Sequence, residues 1–465
     1  MSAKSKLFHD VTLRTAKLIN ILLMTAPFIF AWYTFYANEL YVTFFKRGHW
    51  LVILLYLLLY FLIGRVYDAF KVSYNSRGEM IYSQVLSLFE VNVIMYIVAW
   101  LLIRHLPFIP PVLGVFAIQI VFAIIWSYGS QAWYYRTFPA NKTVVVYDMR
   151  QGLSRLIDEY NLEKKFKVVA GVSAEECVAD LSVLDDADTV FLSGVHSHDR
   201  NIIAKYCLMH GISAFLIPRV GDLIITGAKR THMFHLLLLK VERYNPSLEY
   251  IVAKRIGDIV LSLIAIILFS PIILITAICI KAEDHGPVIY KQCRLTKDGN
   301  PFDIYKFRSM KTDAEKDGVA RLSSGDNDDR ITKVGRFIRK VRIDELPQLF
   351  NILKGDLTIV GPRAERPELA AEYQEELPEF ALRLQAKAGL TGYAQVYGKY
   401  NTTPYDKLLM DLMYIANASI FEDIRIIFAT VKILFMPEST EGVEVGNINA
   451  MQKTMKDRES EEGQI

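Results

Sequence analysis

The sequence predicts a membrane protein that is α-helical in its first part and α/β further on. Three observations support this fold class: long apolar runs fill the first third, short β-branched runs alternate with helical patterns in the middle, and another long apolar stretch follows. We therefore expect a four-helix transmembrane bundle over 1–138 and a small Rossmann-like α/β domain over 139–247. A mostly α domain over 248–440 should begin with a re-entrant membrane helix, and 441–465 should form a polar tail.

The composition excludes several classes of protein. Hydrophobic residues make up 52% of the 465 residues, which is too apolar for an ordinary soluble enzyme. A net charge of +3 gives no reason to expect nucleic acid as a partner. The cysteines are far apart and lack metal-ligand spacing, so we expect small, reduced, buried side chains at all four positions. They are Cys177, Cys207, Cys279 and Cys293.

Four segments of the first part have the length and apolarity of membrane helices, which need roughly 20 apolar residues. They lie near 16–37, 49–67, 85–104 and 111–133. No small-residue cleavage site follows the first run, so we expect a spanning helix there and no signal peptide. Lysines and arginines are more frequent before the first span, between the second and third, and after the fourth. This bias predicts that the N-terminus and everything after the fourth span are cytoplasmic.

The middle segment alternates strands and helices, which is the order of a parallel α/β domain. Its strand-like runs are KTVVVYDM, DTVFLSGV and ISAFLIP. The turn after the first strand, YDMRQGLSRL, contains only Gly152, whereas a dinucleotide site needs G-x-G-x-x-G there. We therefore expect this domain to serve assembly or regulation instead of nucleotide binding, and it is the best candidate for a homodimer contact.

A fifth apolar segment, over 254–281, is also long enough to cross a bilayer. A helix that crossed the membrane here would place the predicted α/β domain and the domain after it on opposite sides, although both have cytoplasmic character. Ser270 and Pro271 lie in its middle, where proline removes a helix hydrogen bond and serine can satisfy the freed carbonyl. Local pattern alone favours a kinked spanning helix, whereas the basic residues at both ends favour a re-entrant helix that is broken at this point.

Two adjacent carboxylates, Asp344 and Glu345, open the segment DELPQLFNIL, whose apolar spacing is that of a helix. Asp344 is expected to cap this helix, with Pro347 in the first turn. Neighbouring side chains on a helix point in different directions. The two carboxylates can therefore take different roles, one attacking phosphorus and the other holding a cation.

Many cations surround this pair in the sequence. They are Lys306, Arg308, Arg336, Arg339, Lys340, Arg342, Arg363 and Arg366. Guanidinium and ammonium groups neutralise phosphate oxygens, so the pattern predicts a diphosphate substrate. For the segment RKVRIDEL taken alone, the alternative is a solvated basic amphipathic helix at a membrane surface.

Several motifs, in order, resemble the long form of the bacterial polyprenyl-phosphate sugar-phosphate transferases. They are FSP, GPVIYKQCRLTKDGNPFDIYKFRSM, RKVRIDELPQLFNILKGDLTIVGPRAERPE and KAGLTGYAQVYGKYNTTPYDK, and the resemblance covers about 250–440. It implies a multi-pass enzyme of the bacterial inner membrane with its active site on the cytoplasmic face. Such an enzyme transfers sugar 1-phosphate from a UDP-sugar to undecaprenyl phosphate and starts surface polysaccharide synthesis, and the long form leads us to expect glucose or galactose as the sugar. The resemblance also implies that the Ser–Pro helix is re-entrant.

The resemblance gives roles to individual residues. It makes Asp344 the nucleophile, which forms a covalent aspartyl intermediate and releases UMP, and it makes Glu345 the ligand of a Mg²⁺ cofactor. Asp411 is a weaker candidate, for which a polar helix face is expected. The substrate-binding residues expected from the charge pattern or the resemblance are Lys306, Arg308, Arg339, Arg363 and Asp423.

The sequence departs from the family pattern at Ala364, where proline is common, at Lys387–Ala388, where Arg–Pro is common, and near Ala418, where tryptophan is usual. These departures affect loop rigidity and leave every expected catalytic group in place. The alternatives are an N-acetylated sugar or another lipid phosphate, a non-catalytic scaffold of polysaccharide assembly, and a transporter. The intact acidic pair argues against a scaffold. Intramembrane charges are few, with Glu90 as the main one, which argues against a transporter.

Overall fold

A computed structural model describes residues 3–44, 47–148, 157, 162–311, 330–398 and 402–434. The chain divides into two compact units, Met1–Ile217 and Pro218–Ile465. The predicted polar tail over 441–465 and the predicted turn around Gly152 lie outside the described residues.

Long apolar helices form the first part of the first unit. They are α1 (Ala3–Ala31), α2 (Arg47–Val66), α3 (Arg77–Ile103) and α4 (Pro110–Thr137). A π-helical segment, Trp32–Tyr36, directly follows α1. Helix α1 packs against α2 and α4, and α3 packs against the same two neighbours. All four are long and apolar enough to cross a membrane, which confirms the four predicted spans by length and composition.

Buried amides connect these four helices. Asn92 of α3 donates to Gln119 of α4 at 2.8 Å, and Gln119 donates to the hydroxyl of Tyr56 on α2 at 2.7 Å. Gln119 also donates to the main-chain oxygen of Met24 on α1 at 2.7 Å. Hydrogen bonds between helices in hydrocarbon contribute about 1 kcal/mol each. This network therefore favours one register among the four helices.

A parallel sheet in the order β2-β1-β3-β4 completes the first unit, as predicted for an α/β domain. Its strands are β1 (Asn141–Tyr147), β2 (Phe166–Ser173), β3 (Thr189–Ser193) and β4 (Ser213–Leu216), accompanied by α5 (Ala174–Ala179) and α6 (Ser197–His210). Cys177 and Cys207 are buried in the core of this domain. The prediction of burial is wrong for Cys279 and Cys293, which are exposed. The first of these lies on a membrane-type helix and the second on a two-stranded hairpin, and neither element is covered on all sides.

Residues 218–247 pack with the second unit, although the sequence suggested that they end the α/β domain. Helix α7 (Val220–Thr226) carries Leu223, which is buried against Tyr373, Phe380 and Leu408. The antiparallel hairpin of β5 (Lys229–Met233) and β6 (Leu236–Lys240) follows. The boundary lies near 217 instead of 247 because the apolar partners of Leu223 come from later in the chain.

Helices dominate the rest of the second unit, as expected for the third domain. The remaining elements are α8 (Leu248–Asp284), β7 (Ile289–Leu295), β8 (Pro301–Phe307), α9 (Lys333–Lys340), α10 (Gln348–Lys354), β9 (Thr358–Val360), α11 (Pro367–Glu376), β10 (Gly389–Thr391), α12 (Tyr393–Val396), α13 (Pro404–Asn417) and α14 (Ile420–Leu434). Strands β7 and β8 form an antiparallel hairpin, and β9 pairs with β10 in parallel.

Helix α8 continues through Ser270 and Pro271 without a break in its helical structure. The Ser270 hydroxyl donates to the carbonyl of Ile267 at 2.8 Å. This is the acceptor that Pro271, lacking an N–H group, leaves free one turn later. The predicted role of the serine is thus present, whereas the predicted break is not.

Both ends of α8 contact the same unit. Near its start, Asp258 accepts a hydrogen bond from the hydroxyl of Thr358 at 2.6 Å. At its end, Asp284 accepts one from Arg308 at 2.8 Å. Between them the helix is largely uncovered, and Ile267 is 73% exposed. A helix that crossed a bilayer completely would place its ends on opposite sides, so contacts at both ends with one unit favour insertion from a single side.

Candidate active site

The acidic pair lies on a short 3₁₀ turn, Ile343–Glu345, between α9 and α10. Residues three apart share one face of a 3₁₀ helix, and Ile343 and Leu346 both pack in an apolar cluster with Phe307. Asp344 and Glu345 therefore occupy the other two faces and point in different directions, as predicted. The prediction that Asp344 caps a helix is wrong, because α10 begins only at Gln348. The packing of Ile343 and Leu346 on either side of the pair favours a tight turn here instead.

Lys306 is the cation in direct contact with the pair. Its ammonium group donates to Glu345 Oε1 at 2.9 Å. The buried side chain of Asn351 on α10 fixes this approach, because it accepts from the amide of Tyr305 at 2.9 Å and donates to the carbonyl of Asp303 at 2.7 Å. These two bonds align β8 with α10, so the lysine at the end of β8 reaches the turn that precedes α10.

Arg339 approaches the pair from α9. Thr332 caps this helix, with its hydroxyl accepting from the amide of Gly335 at 2.9 Å, and Ile338 buries the inner face. The Nη1 atom of Arg339 is buried without a hydrogen-bond partner in the part of the chain that the structure describes. A buried guanidinium nitrogen without an acceptor is costly, so this donor is available for an anionic ligand.

Arg363 reaches the pair from the loop after β9. Its side chain is exposed and makes no hydrogen bond or ion pair with any other described residue, although its charge acts on Glu345. Three elements therefore bring cations to the two carboxylates of the 3₁₀ turn: the end of β8, helix α9 and the loop after β9.

The two carboxylates respond to this environment in opposite ways. Burial raises the pKa of Asp344 above its ordinary value, and the adjacent charge of Glu345 raises it further. Burial alone would also raise the pKa of Glu345, but nearby cations lower it below its ordinary value. These cations are Lys306, Arg363 and Arg342. Glu345 is therefore the more acidic group, and Asp344 is the group of the pair that binds a proton more readily.

Two of the residues expected to bind substrate are paired with other side chains of the protein. Arg308 is buried and pairs with Asp284 at the end of α8, and Gly286 packs so closely that a Cβ atom there would lie 2.5 Å from its Nη1. Asp423 is buried and accepts from Lys254 at 2.7 Å and from the Tyr414 hydroxyl at 2.8 Å. The geometry gives both residues a role in holding α8 to its neighbours.

A group of buried charges beside Arg363 was not predicted from the sequence. Arg383, which is 2% exposed, pairs with Asp411 at 2.6 Å and approaches Glu365 at 3.7 Å. The expectation of a polar helix face for Asp411 is wrong, because this residue is 1% exposed and Arg383 compensates its charge. Asp411 follows Leu408 by three positions in an apolar helix pattern, and a carboxylate at such a position indicates a buried cationic partner.

The part of the chain that carries this site resembles known proteins. Residues 249–437 match the bacterial sugar transferase family. One relative is UDP-N-acetylgalactosamine-undecaprenyl-phosphate N-acetylgalactosaminephosphotransferase of Aeromonas hydrophila. The chain is 39% identical to it over 236 residues, and this matched region is 50% of this chain and 54% of the relative. It is 38% identical over 209 residues to UDP-glucose:undecaprenyl-phosphate glucose-1-phosphate transferase of Caulobacter vibrioides, covering 44% of this chain and 78% of that protein.

A third relative is an exopolysaccharide production protein of Rhizobium leguminosarum. It is 40% identical over 190 residues, which are 39% of this chain and 94% of the relative. The chain thus spans about half the length of the Aeromonas relative and most of the two shorter relatives. With most of these two relatives matched at well above 30% identity, this chain belongs to the bacterial sugar transferase family.

Proposed function

We propose that the protein transfers sugar 1-phosphate from a UDP-sugar to undecaprenyl phosphate and so starts the synthesis of a surface polysaccharide. The observation that carries this proposal is a partly buried carboxylate pair that receives cations from three other elements, on a chain whose relatives are named for this reaction. Glucose or galactose is the proposed sugar. N-acetylgalactosamine is the second candidate because the Aeromonas relative is named for it.

In the first step of the proposed reaction, a carboxylate oxygen of Asp344 attacks the β-phosphorus of the UDP-sugar. A bond forms between this oxygen and phosphorus, the bond from phosphorus to the bridging oxygen breaks, and UMP leaves with the electron pair. In the second step, an oxygen of undecaprenyl phosphate attacks the same phosphorus. The bond to Asp344 breaks, and the free carboxylate is restored.

The cations have separate tasks in this scheme. Arg339 offers its unpartnered nitrogen to a phosphate oxygen, and Arg363 offers a free planar guanidinium, which binds two phosphate oxygens at once. Lys306 keeps Glu345 ionised and lies within reach of the same phosphates. Because its ion pair holds Lys306 in place before the substrate arrives, this lysine stabilises the charge of the transition state with little reorganisation.

The donor set at the pair suits Mg²⁺, which takes oxygen ligands and often binds through one or two carboxylates plus substrate phosphates. The side-chain oxygens of Asp344 make no hydrogen bond to another described residue, and Glu345 shares only one of its oxygens with Lys306. The described residues contain no cluster of three or more His, Cys, Asp or Glu side chains, so substrate oxygens would complete the ligand set. Glu345, with Asp344 beside it, would hold the ion, which when bound neutralises phosphate charge and polarises phosphorus.

We further propose that α1–α4 form a transmembrane bundle, that the parallel sheet belongs to a Rossmann-like cytoplasmic domain, and that α8 enters the membrane from the cytoplasmic side. The cysteine-free protein with single cysteines at exposed Val183 and at exposed Lys297 tests this topology. Both cysteines should react with an impermeant maleimide only after the cells are opened. Opposite labelling of the two positions in intact cells would contradict the proposed topology.

The experiment that tests the proposed reaction uses the purified full chain with radiolabelled UDP-glucose, UDP-galactose and UDP-N-acetylgalactosamine. With undecaprenyl phosphate and Mg²⁺, at least one sugar should enter the lipid fraction. Without the lipid, a burst of UMP of about one equivalent per protein should appear, and it should be absent from Asp344→Asn. Transfer to lipid without any burst would refute the aspartyl intermediate, and absence of transfer with every sugar would refute the reaction.

A further inference from the structure

The main chain that carries Arg363 is fixed at three consecutive carbonyls. The carbonyl of Arg363 accepts from Arg383 Nη2 at 2.7 Å, and that of Ala364 accepts from Arg294 Nη1 at 3.0 Å. The carbonyl of Glu365 accepts from the amide of Leu295 at 2.9 Å. Two of these three donors are arginine side chains, so this loop is held by buried charges as well as by backbone bonds.

The Glu365 side chain links the two arginines. Its carboxylate lies 3.7 Å from Arg383 Nη1 and 3.9 Å from Arg294 Nη1, and Arg383 also pairs with Asp411 at 2.6 Å. Arg383 and Asp411 are almost fully buried, and Glu365 is 9% exposed. Burial alone would raise the pKa of Glu365, but Arg383 and the other neighbouring cations hold it below its ordinary value. Glu365 is therefore ionised and compensated by the two arginines.

This buried network supports a side chain that is itself free. The guanidinium of Arg363 projects from the fixed segment, is exposed, and has no partner within the described part of the chain. The next residue is Ala364, which has no ring to restrict its φ angle as proline would. Hydrogen bonds from Arg383 and Arg294 provide the rigidity that the residue type does not.

We propose that Arg383, Arg294 and Glu365 form a clamp that positions Arg363 for the transfer reaction. They are positioning residues, since they act through Arg363 and do not touch the substrate. This inference rests on the proposed function of the site. Displacement of a phosphate-binding group by about 1 Å can reduce turnover by about 100-fold, so loosening the clamp should act mainly on kcat.

A double-mutant cycle tests the proposal. Arg383→Lys keeps the positive charge beside Asp411 but loses the planar fork that reaches both Asp411 and the Arg363 carbonyl. We expect it to lower kcat by about 10- to 100-fold in the natural background, with a smaller change in KM. In an Arg363→Gln background the same change should lower kcat by less than about twofold, because the group that the clamp positions is already gone.

Equal losses of kcat in both backgrounds, or no loss in either, would overturn the proposal. Glu365→Gln is the second variant of the clamp, because it keeps the shape and removes the charge, and it should behave in the same non-additive way. Arg243→Gln is the control. It removes an arginine from an exposed ion pair with Asp298 and should change neither kcat nor its dependence on Arg363.

Hydrogen exchange measures the clamp without any turnover. The amides of Gly361 and Gly389 donate to Thr391 and Pro362, both at 2.8 Å, and report on this loop. In Arg383→Lys, peptides that cover 361–366 should exchange faster, whereas peptides from the β7–β8 hairpin should not change. Faster exchange throughout the second unit, or nowhere, would overturn the clamp. If the natural protein transferred no sugar, the proposed function would fail, while this measurement would still decide whether the clamp exists.

Discussion

The ion pair between Lys306 and Glu345 allows a quantitative test of the proposed chemistry. Lys306→Met keeps most of the length of the side chain and removes its charge. The two charged atoms are 2.9 Å apart. At that separation the interaction is about 1.4 kcal/mol at the dielectric constant of water and about 5.7 kcal/mol at an effective value of 20. Since 1.36 kcal/mol corresponds to one pKa unit, the loss of Lys306 should raise the pKa of Glu345 by about one to four units.

The sign of the effect on activity follows from the direction of the two pKa shifts. Lys306 lowers the pKa of both carboxylates, so its removal raises both. The pair then binds a proton at higher pH, and the ionised form needed for attack is lost earlier as the pH falls. The acid limb of kcat/KM against pH should therefore move upward. Activity at the lower pH should therefore fall more than activity at the higher pH.

The assay is a pH series of sugar transfer with the variant and a matched control. Lys354→Met removes a lysine that also lies 2.9 Å from a carboxylate, that of Asp356, but this lysine is 63% exposed. Exposed pairs contribute about 0.2–1 kcal/mol, so the control should leave the acid limb in place. An unchanged acid limb in Lys306→Met, or a shift to lower pH, would refute the assignment of Lys306 as the group that keeps the pair ionised.

Three further predictions concern the pair and the unit that carries it. Asp344→Asn should reduce transfer by at least about 10³-fold, because it removes the nucleophile. The same variant should melt at a higher temperature at pH 7.5, and this gain should become much smaller at pH 4, because a carboxyl whose folded pKa is raised costs stability as it ionises. An equal gain at both pH values would contradict that shift. Glu345→Gln should slow transfer by orders of magnitude and weaken its dependence on Mg²⁺, and an unchanged metal titration would exclude Glu345 as a ligand. A chain that starts at 218 should keep sugar transfer when it is made in membranes. A chain that starts at 248 lacks the buried Leu223 and should be cleaved faster by protease. Equal protease resistance of the two chains would contradict the packing of α7.

Much of the fold could be predicted from the sequence because it depends on local pattern. Long apolar runs with few charges predict spanning helices, since every backbone polar group in hydrocarbon must bond within its own segment. Alternating β-branched and helical runs predicted the parallel sheet, and Pro271 with Ser270 predicted the bond to the Ile267 carbonyl. The acidic pair and its cations could also be located in the sequence, but the segment alone left a solvated basic helix as the alternative, and the proposed chemistry of the pair came from the family resemblance.

Other features depend on contacts between distant parts of the chain, and only the tertiary structure decided them. The boundary near 217 follows from the packing of Leu223 on residues more than 140 positions later. The 3₁₀ turn at Asp344 forms because its apolar neighbours are buried together, an effect that helix propensity does not contain. Arg308 and Arg363 looked equivalent as cations, yet one pairs with Asp284 and the other remains free. A charge in a sequence gives its sign, whereas its partner and its burial, which set its pKa and its role, are properties of the folded chain.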